Sequence, residues 1–382
     1  MPEKSVPDVC VVTQPARREG GKTHAHQLLD VLAAITSVSL LTANLNPDSP
    51  VRDDHEVVEL TGQGTGTSLP VTVYRFLRNQ LLMVRAIARR DEEAVLFFGA
   101  TAYLLPIVAA RVLGKTVIVE PRGDVPLSLR LQWEERMPAG LARLLAGLVS
   151  LLEHAGYTAA HAIVTYTPEM ADGLGLRRYR YQRKLYPEGA RYVDTEGFDV
   201  ETTFEDRPVS VGYLGRLDAE KNVPTLVEVA KRLPEPIGFC FVGDGDYRET
   251  VERELAAEIK SGQVTLTGWV DHNEVPAQLN QMQLLLLSSE PTEGLPTAIL
   301  ESFACGTPVY ATPVSGVPDV VRQDETGFLM TDQDPGAIVE TIERAIEGDT
   351  LAEMSEECRG VAETEFSFEA AVGRYRHILE SV

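Results

Sequence analysis

The sequence predicts an α/β fold made of two parallel sheets that are covered by helices. Three observations support this prediction. Apolar residues make up 44% of the 382 residues, which suits two domains with sizeable cores. Short apolar or β-branched runs alternate with helical patterns, and the alternation restarts once after a polar break. Such alternation is typical of parallel sheets.

The elements can be assigned in chain order. In the first half a helix is predicted over residues 22–34, and strands are predicted over 9–13, 38–42, 95–98, 116–120 and 162–165. Residues 177–207 are polar and lack a long apolar run, so the domain boundary is placed there. In the second half strands are predicted over 209–214, 237–242, 264–267, 284–287 and 309–311.

Two Rossmann-like halves with a cleft between them are therefore expected, with ligands at the carboxyl ends of the strands. The predicted domains are 1–196 and 197–364. Residues 365–382 form a final amphipathic helix that is expected to cross back to the first domain.

Charge and composition exclude several classes of protein. The net charge of −22 argues against nucleic-acid binding, which needs a basic face. The excess of Arg over Lys on an acidic chain suggests a halophilic source, with an ordinary acidic cytosolic protein as the alternative. The sequence contains no long apolar run and no signal peptide at its start, so a cytoplasmic protein is expected. The four cysteines are scattered without a C-x-x-C pair, so most of them are predicted to be core residues, and a zinc site is not expected.

The most informative motif follows the strand at 284–287. A polar loop contains Glu293, and a helix opens after Gly294 and Pro296 and carries Glu301 two turns in. A helix N-terminus can hold a phosphate through its unpaired N–H groups, while carboxylates accept hydrogen bonds from hydroxyl groups. This combination suits a sugar nucleotide.

Two other loops of the second half support that interpretation. A strand ends at Gly215 and is followed by Arg216 and Lys221, two cations that could hold a diphosphate, although solvated surface cations are the alternative. Gly243 and Gly245 follow the next strand, and glycine allows close backbone approach or positive φ there. The Asp244–Asp246 pair in that loop is better explained as a turn than as a metal site.

The first half contains a motif that nearly matches a P-loop. Residues 16–23 follow a strand and open a helix, but Ala16 replaces the first glycine. We interpret Gly20 and Gly21 as a flexible pair that approaches a phosphate or sugar, with a plain tight turn as the alternative.

Together these residues resemble the retaining GT-B glycosyltransferases of the family 4 type. The resemblance rests on Gly215-Arg-Leu with Glu-Lys-Asn222, Val-Gly243-Asp-Gly, Gly268-Trp-Val and Glu293-Gly-Leu-Pro with Glu301, in the order and spacing of the family. It is specific over residues 209–330 and diffuse over the first half.

The resemblance implies a site for a nucleotide-diphosphate sugar. Arg216 and Lys221 would hold the diphosphate and stabilise the leaving phosphate, so no divalent metal or cofactor would be required. Glu293 and the backbone of Gly294, Leu295, Pro296 and Thr297 would face the transferred sugar and its phosphate. Glu301 would bind the ribose hydroxyls. The Gly268 segment would lie by the base.

The acceptor side is less explicit in the sequence. Many relatives have a histidine after the strand that corresponds to 116–120, where this chain has Pro121, Arg122 and Asp124. Arg122 and Asp124 are acceptor-side candidates and Asp124 is a candidate base, with a capped turn as the alternative.

Two further features suggest seating on an anionic membrane near a lipid-linked acceptor. One is the basic-aromatic segment 177–184. The other is the helical spacing of Leu141, Leu144, Leu145, Leu148 and Leu152. A core helix and a solvated linker are the alternative.

The sequence therefore predicts a retaining, metal-independent glycosyltransferase that moves a hexose-type sugar to a glycan or polyprenyl-linked acceptor. A GT-B epimerase or phosphorylase, a non-catalytic binding module and a P-loop NTPase are the alternatives. The donor sugar, the base, the acceptor and the oligomeric state stay open.

Overall fold

The computed structural model describes residues 6–14, 24–63, 69–134, 136–208, 210–289, 294–348 and 350–382. The chain divides into two compact units, which are Met1–Arg191 with Ala371–Val382 and, in between, Tyr192–Ala370. No helix in the described ranges is both long and apolar enough to cross a membrane.

The N-terminal unit is built on a seven-stranded parallel sheet in the order β3-β2-β1-β4-β5-β6-β7. Its strands are β1 (Val9–Thr13), β2 (Val38–Thr42), β3 (Glu56–Glu59), β4 (Ala94–Phe98), β5 (Thr116–Glu120), β6 (Ala162–Val164) and β7 (Leu185–Tyr186). Its helices are α1 (His24–Ala33), α2 (Val51–Asp54), α3 (Leu69–Ile87), α4 (Leu104–Val112), α5 (Val125–Glu134), α6 (Ala139–Ala159), α7 (Pro168–Gly173) and α8 (Arg177–Arg180).

The C-terminal unit is built on a six-stranded parallel sheet in the order β10-β9-β8-β11-β12-β13. Its strands are β8 (Ser210–Leu214), β9 (Gly238–Val242), β10 (Val264–Gly268), β11 (Leu284–Leu287), β12 (Val309–Ala311) and β13 (Gly327–Leu329). The helices of this part of the chain are α9 (Val223–Arg232), α10 (Arg248–Glu254), α11 (Ala256–Ser261), α12 (Val275–Leu279), α13 (Thr297–Ala304), α14 (Val317–Val320), α15 (Pro335–Glu347), α16 (Thr350–Glu365) and α17 (Phe368–Ser381).

These two parallel sheets confirm the predicted α/β fold. The central strands β4 and β11 are buried along their whole length, as their continuous apolar sequences require of strands covered on both faces. Cys10, Cys305 and Cys358 are buried free thiols, as expected of small core residues.

The boundaries between the two units differ from the predicted domain boundaries. The predicted divisions lie after residues 196 and 364, whereas the structure divides the chain after Arg191 and after Ala370. Local hydrogen bonds explain the first difference, because the N–H of Val193 donates to the carbonyl of Phe366 at 2.9 Å, which anchors this segment in the C-terminal unit.

The last helix adds its C-terminal part to the N-terminal unit. The guanidinium of Arg374 donates to the carbonyl oxygens of Gly189 at 3.3 Å and Arg191 at 3.0 Å. The hydroxyl of Tyr375 donates to the carboxyl group of Glu120 at the end of β5. These buried contacts fix residues 371–382 against the first sheet.

Candidate functional site

In both sheets the strand order reverses next to the first strand of the unit. The reversal lies between β1 and β4 in the N-terminal sheet and between β8 and β11 in the C-terminal sheet. Connections on the two sides of such a point run to opposite faces of the sheet and leave a crevice at the carboxyl ends of the strands. In the C-terminal unit, the segments after β8 and β11 are the two that carry Arg216, Lys221 and the start of α13.

The segment after β8 begins with close backbone packing. Gly215 has φ of 152° and Gly243, which follows β9, has φ of 134°. A Cβ on Gly243 would lie 2.0 Å from the carbonyl oxygen of Gly215, so only glycine fits. The N–H of Gly243 donates to the carbonyl of Gly268 at 3.0 Å, which brings the ends of β8, β9 and β10 together.

Arg216 lies just beyond this packing, and its side chain is 55% exposed. Its guanidinium pairs with Asp218 at 2.5 Å and also with Glu220. The carbonyl oxygen of Arg216 accepts a hydrogen bond from the hydroxyl of Tyr213 at 2.6 Å. The backbone of Arg216 is therefore held by the buried Tyr213 side chain, while its guanidinium is held at the surface by two carboxylates.

Lys221 ends a short 3-10 turn, and Asn222 ties the segment to the neighbouring strand. Asn222 adopts a left-handed conformation with φ of 49°. Its side-chain amide donates to the hydroxyl of Ser288, just after β11, at 3.0 Å, and its amide oxygen accepts from the hydroxyl of Thr225 at 3.0 Å. Sequence reasoning assigned no role to Asn222, although Asn is the residue that most readily adopts this conformation after glycine.

The end of β11 is fixed by buried polar groups. The N–H of Ser289 donates to the hydroxyl of Thr312, after β12, at 3.3 Å. Thr312 also accepts from the side-chain amide of Gln333 at 3.4 Å. Residues 290–293 lie outside the described residues, so the predicted role of Glu293 stays a prediction.

The helix that follows this loop begins where the sequence predicts it. Pro296 is the N-cap of α13, and Leu295 is buried and anchors the turn. The first turn contains no acidic residue that would neutralise the positive end of the helix dipole. Glu301 lies in the second turn and is partly buried. Gly294 and Thr297 lie on either side of Leu295 and Pro296. Four consecutive residues of the predicted donor site therefore lead into the start of α13.

The Asp244–Asp246 segment forms a turn, as the sequence analysis favours. The carbonyl of Asp244 accepts from the N–H of Leu217 at 2.9 Å, and its carboxylate pairs with Arg248 at 3.1 Å. A Cβ on Gly245 would lie 2.7 Å from the backbone of Leu217. Trp269, next to Gly268 at the end of β10, is 72% exposed.

The acceptor-side candidates lie at the carboxyl ends of β4 and β5 in the N-terminal unit. Arg122 packs under Gly99, which has φ of 63°, and its guanidinium carbon lies 5.4 Å from the centre of the Phe98 ring. Asp124 accepts from the N–H of Leu127 at 2.8 Å and so caps α5. The capped turn weighed in the sequence analysis is therefore present, and the role of Asp124 as a base stays a prediction. Gly20 and Gly21 lie outside the described residues.

The structure adds a polar group to this edge that sequence reasoning missed. His24 begins α1, and its Nδ1 accepts a hydrogen bond from the guanidinium of Arg191. Burial and the charges of Arg191 and Arg122 hold the pKa of His24 well below its usual value. Arg191 is itself buried and stacks over the Tyr166 ring at 4.5 Å. A neutral imidazole is thus available near the end of β1, with Nε2–H as a donor.

A buried carboxyl group lies on α6 behind the same edge. Glu153 accepts from the hydroxyl of Thr101, and burial raises its pKa to about 7. The ordinary value is 4.5, so between those values the unfolded chain ionises first and the folded state loses stability as the pH rises. Below pH 4.5 the Glu153 carboxyl group is neutral in both the folded and the unfolded chain. Above pH 7 it is ionised in both, and the loss of folding stability no longer changes with pH.

Replacing Glu153 with Gln should therefore stabilise the protein at pH 8 by about 3 kcal/mol, since each pKa unit is worth about 1.4 kcal/mol. The gain should shrink towards zero as the pH falls to about 4.5. Urea denaturation at several pH values would measure it, and exposed Glu93→Gln is the control. A constant difference between Glu153→Gln and wild type at all pH values would contradict the prediction.

Comparisons with known proteins agree with this geometry. Residues 194–362 match the family described as glycosyl transferases group 1. The alpha-D-kanosaminyltransferase of Streptomyces kanamyceticus is 27% identical over 321 residues, which cover 79% of this chain and 81% of that protein. The 2-deoxystreptamine N-acetyl-D-glucosaminyltransferase of Niallia circulans is 33% identical over 147 residues, which cover 38% of each chain.

Among solved structures, HepE of Anabaena in complex with UDP is similar in fold. The TM-score is 0.71 at 14% identity, and the match covers 98% of this chain and 100% of HepE. The family match falls on the unit that contains Arg216, Lys221 and α13, and the fold match extends over both sheets. The chain thus has the GT-B fold, and its residues 194–362 match the family of glycosyl transferases group 1.

Proposed function

We propose that this chain transfers a hexose-type sugar from a nucleotide-diphosphate sugar, with retention of the anomeric configuration, to a glycan or polyprenyl-linked acceptor. The observation that carries the proposal is the convergence at one strand reversal of Arg216, Lys221 and the N-terminus of α13. The bound nucleotide of HepE in the same fold supports a nucleotide donor.

The chemistry follows from where charge develops. The bond between the sugar and the diphosphate breaks with negative charge growing on the leaving oxygen. Two cations and a helix N-terminus that contains no acidic residue would stabilise that charge without reorganising during the step. These groups supply what a divalent cation would otherwise supply, so we propose that the transfer step needs no added Mg²⁺ or Mn²⁺.

The donor proposal can be tested by ligand-induced stabilisation. A ligand that binds only the folded protein raises the melting temperature. A panel of UDP-, GDP- and ADP-sugars should contain at least one sugar nucleotide that does so, in buffer without added divalent cations and at both low and high salt. If none stabilises the chain at either salt concentration, the proposed donor site is wrong.

Product analysis separates transfer from the other activities of this fold. A transferase releases nucleoside diphosphate when an acceptor is present, whereas an epimerase changes the donor sugar without releasing it. A phosphorylase requires inorganic phosphate. Release of nucleoside diphosphate that is independent of every acceptor, together with a new sugar nucleotide, would favour the epimerase.

We also propose that the acceptor is reached at an anionic membrane surface. The support lies in α3, α4 and α6, where α4 contacts both of the others. Large apolar side chains point to solvent along all three helices, and we refer to them as the apolar face: Val73, Tyr74, Leu77, Leu81, Leu105, Val108, Val112, Leu141, Leu144, Leu148 and Leu151.

The orientation of α6 shows that this exposure is built into the helix. Its small residues Ala142, Ala146 and Gly156 are buried, whereas Leu144 is 63% exposed and Leu151 is 67% exposed. Of the five leucines in the predicted stripe, three are exposed and two are half-buried, namely Leu141, Leu144 and Leu148 against Leu145 and Leu152. The core-helix alternative therefore does not account for the three exposed leucines. An exposed apolar patch of this kind marks an interaction surface.

The charge of the segments around the apolar face favours an anionic lipid surface as its binding partner. Residues 69–90, 104–119 and 136–152 contain several Arg and Lys residues and no Asp or Glu, although the whole chain has a net charge of −22. Arg90 and Arg143 pair with glutamates outside these ranges, so the basic character of the surface rests on the other basic residues. Anionic lipids attract such a basic surface, whereas a second copy docking through the same face would bring like charges together.

The segment 177–184, by contrast, mainly serves the fold. Lys184 donates to the carbonyl oxygens at the end of α6, among them Tyr157 at 3.0 Å, and Arg177 pairs with Asp172 at 2.5 Å. Tyr181 is 88% exposed, so the predicted contribution of this segment to membrane binding stays a prediction beside that of the apolar face.

Replacing Leu77 and Leu144 together with Glu should abolish flotation with phosphatidylglycerol vesicles, because two charges would enter the apolar face. The control is Val200→Glu, which places the same charge on an exposed apolar residue of the other unit. Both variants should keep their donor-induced thermal shift. A wild-type protein that does not float with anionic vesicles at low salt would end the membrane proposal.

A further inference from the structure

The N-terminal unit contains a cluster of two histidines and two aspartates that the glycosyltransferase site does not use. His26 and Asp30 lie one turn apart on α1, so they share one face of the helix. Asp54 and His55 lie at the end of α2. We refer to these four residues as the His–Asp cluster.

The side chains of the cluster converge through their metal-ligating atoms. His26 Nε2 lies 3.1 Å from Asp54 Oδ2 and 3.7 Å from Asp30 Oδ1. His55 Nε2 lies 3.1 Å from the same oxygen of Asp30. The ligating atoms of His26, Asp30 and His55 all lie within 4.8 Å of one another.

These separations are those of a coordination shell. Zinc bonds to histidine nitrogen and carboxylate oxygen are about 2.0–2.1 Å long, so neighbouring ligands of a tetrahedral ion lie about 3.3 Å apart. The measured 3.1, 3.7 and 3.1 Å lie close to that value. Small shifts of side chains would place the ligating atoms of His26, Asp30 and His55 around one ion. Asp54, whose Oδ2 lies 3.1 Å from His26 Nε2, is the candidate fourth ligand.

Burial and orientation support a built site. The side chain of His26 is fully buried and that of His55 is 6% exposed, whereas Asp54 is 53% exposed and leaves a path from solvent. Each imidazole ring points its Nε2 at a carboxylate: His26 at Asp54 and His55 at Asp30. The two rings meet edge to face, with centroids 5.6 Å apart.

We propose that the His–Asp cluster binds a divalent transition-metal ion, with Zn²⁺ as the best match. Two imidazoles select a borderline ion such as Zn²⁺ over Mg²⁺ or Ca²⁺, which prefer shells made of oxygen. With Asp54 as the fourth ligand beside His26, Asp30 and His55, no position would stay open for a substrate, so the ion would be structural. The sequence analysis expected no zinc site because the chain lacks C-x-x-C pairs. A site built from histidine and aspartate residues is not detected by a search for cysteine pairs.

The consequence of binding would be local. The ion would join α1 to the end of α2, the helices that precede and follow β2 along the chain. The cluster takes no part in the proposed transfer reaction, so zinc binding and donor binding can fail separately.

Metal content of the full chain tests the proposal. Protein loaded with Zn²⁺ and dialysed against metal-free buffer should retain about one zinc per chain, because ligand burial slows and disfavours release. Zn²⁺ added to metal-stripped protein should raise the melting temperature, and Mg²⁺ at the same concentration should not. Bound Co²⁺ should show the visible absorption of a tetrahedral site.

Three variants make the test specific. His55→Gln and Asp54→Asn should lose the zinc and the thermal shift, while His377→Gln, on the exposed side of α17, should keep both. Asp54 is half-exposed, so its variant is expected to fold, and circular dichroism checks this. The proposal is overturned if wild-type protein retains no zinc, or if zinc content is the same in wild type and in both cluster variants.

Discussion

Replacing Arg216 with Ala should lower kcat on the order of 10²- to 10³-fold, the cost typical of removing one group that stabilises a developing oxyanion. The side chain lies at the strand reversal beside the loop that leads to Lys221 and Asn222. If it stabilises the leaving diphosphate mainly in the transition state, kcat and kcat/KM should fall together. Initial rates of nucleoside diphosphate release with the donor found in the binding panel would measure both.

Stability measurements separate this effect from unfolding. The ion pairs of Arg216 with Asp218 and Glu220 lie at the surface, where such pairs contribute at most about 1 kcal/mol. The melting temperature of the variant should therefore stay close to that of wild type. Lys221→Ala should behave in the same way, because the same charge is removed from the same loop.

Arg232→Ala is the matched control for Arg216→Ala. Arg232 is also a half-exposed arginine of the C-terminal unit that pairs with a glutamate, Glu228, at 3.3 Å, but it lies at the other end of α9. Its replacement should leave kcat within about twofold of wild type, as expected for a surface residue away from the site. Equal losses in both variants, or no loss in Arg216→Ala, would remove Arg216 from the proposed mechanism.

Replacing Gly243 with Ala should destabilise the C-terminal unit by about 4 kcal/mol or more, the range of the severest single substitutions. The new Cβ would lie 2.0 Å from the carbonyl oxygen of Gly215 and 2.9 Å from its carbonyl carbon. Both are backbone atoms directly after β8, at the carboxyl edge of the sheet, and unlike the end of a flexible side chain they cannot rotate away. The φ of 134° adds strain for any residue with a side chain.

Gly262→Ala distinguishes this clash from backbone strain alone. Gly262 has φ of 86°, but no atom lies within 4 Å of the position of its Cβ. Its replacement should cost only about 1–2 kcal/mol, which is the cost of a left-handed conformation. Similar destabilisation in the two variants would show that the contact between Gly243 and Gly215 does not hold the loops together.

The two tryptophans allow the effect to be assigned to one unit. Trp133 lies in the N-terminal unit and Trp269 in the C-terminal unit, next to Gly268. In a Trp133→Phe background, urea denaturation followed by fluorescence reports the C-terminal unit alone. Gly243→Ala should shift that transition to much lower urea, and a transition at the wild-type midpoint would contradict the packing argument.

Most interior strands could be predicted from the sequence, because a strand buried on both faces must be apolar along its length. β4 and β11 are of this kind, and β1 and β8 are buried except at their ends. The strands that were missed are β3, β7 and β13, which are edge strands or very short strands. They bury less surface, so Glu56–Glu59 and Leu185–Tyr186 contain no apolar run long enough to stand out. As a result β7 lies inside the segment that was assigned to the linker.

The candidate site divides in the same way. Gly215, Gly243 and the opening of α13 could be predicted, because a glycine after a strand or a proline before a helix has a local meaning. The contact of Asn222 with Ser288 and that of His24 with Arg191 could not, because each joins residues far apart in the chain. No periodicity or propensity reports such pairs.

The sequence by itself therefore determined the α/β fold, the order of most strands along the chain, the loop that carries Arg216 and Lys221, and the helix that carries Glu301. These properties depend on local patterns of apolar residues, glycine and proline. Only the tertiary structure decided that the leucines of α6 face solvent, that Glu153 is buried, and that His26 meets Asp54. The physical reason is that burial and long-range contacts depend on which faces the packed helices and strands present to one another, and several faces of these helices are apolar enough to serve as the core.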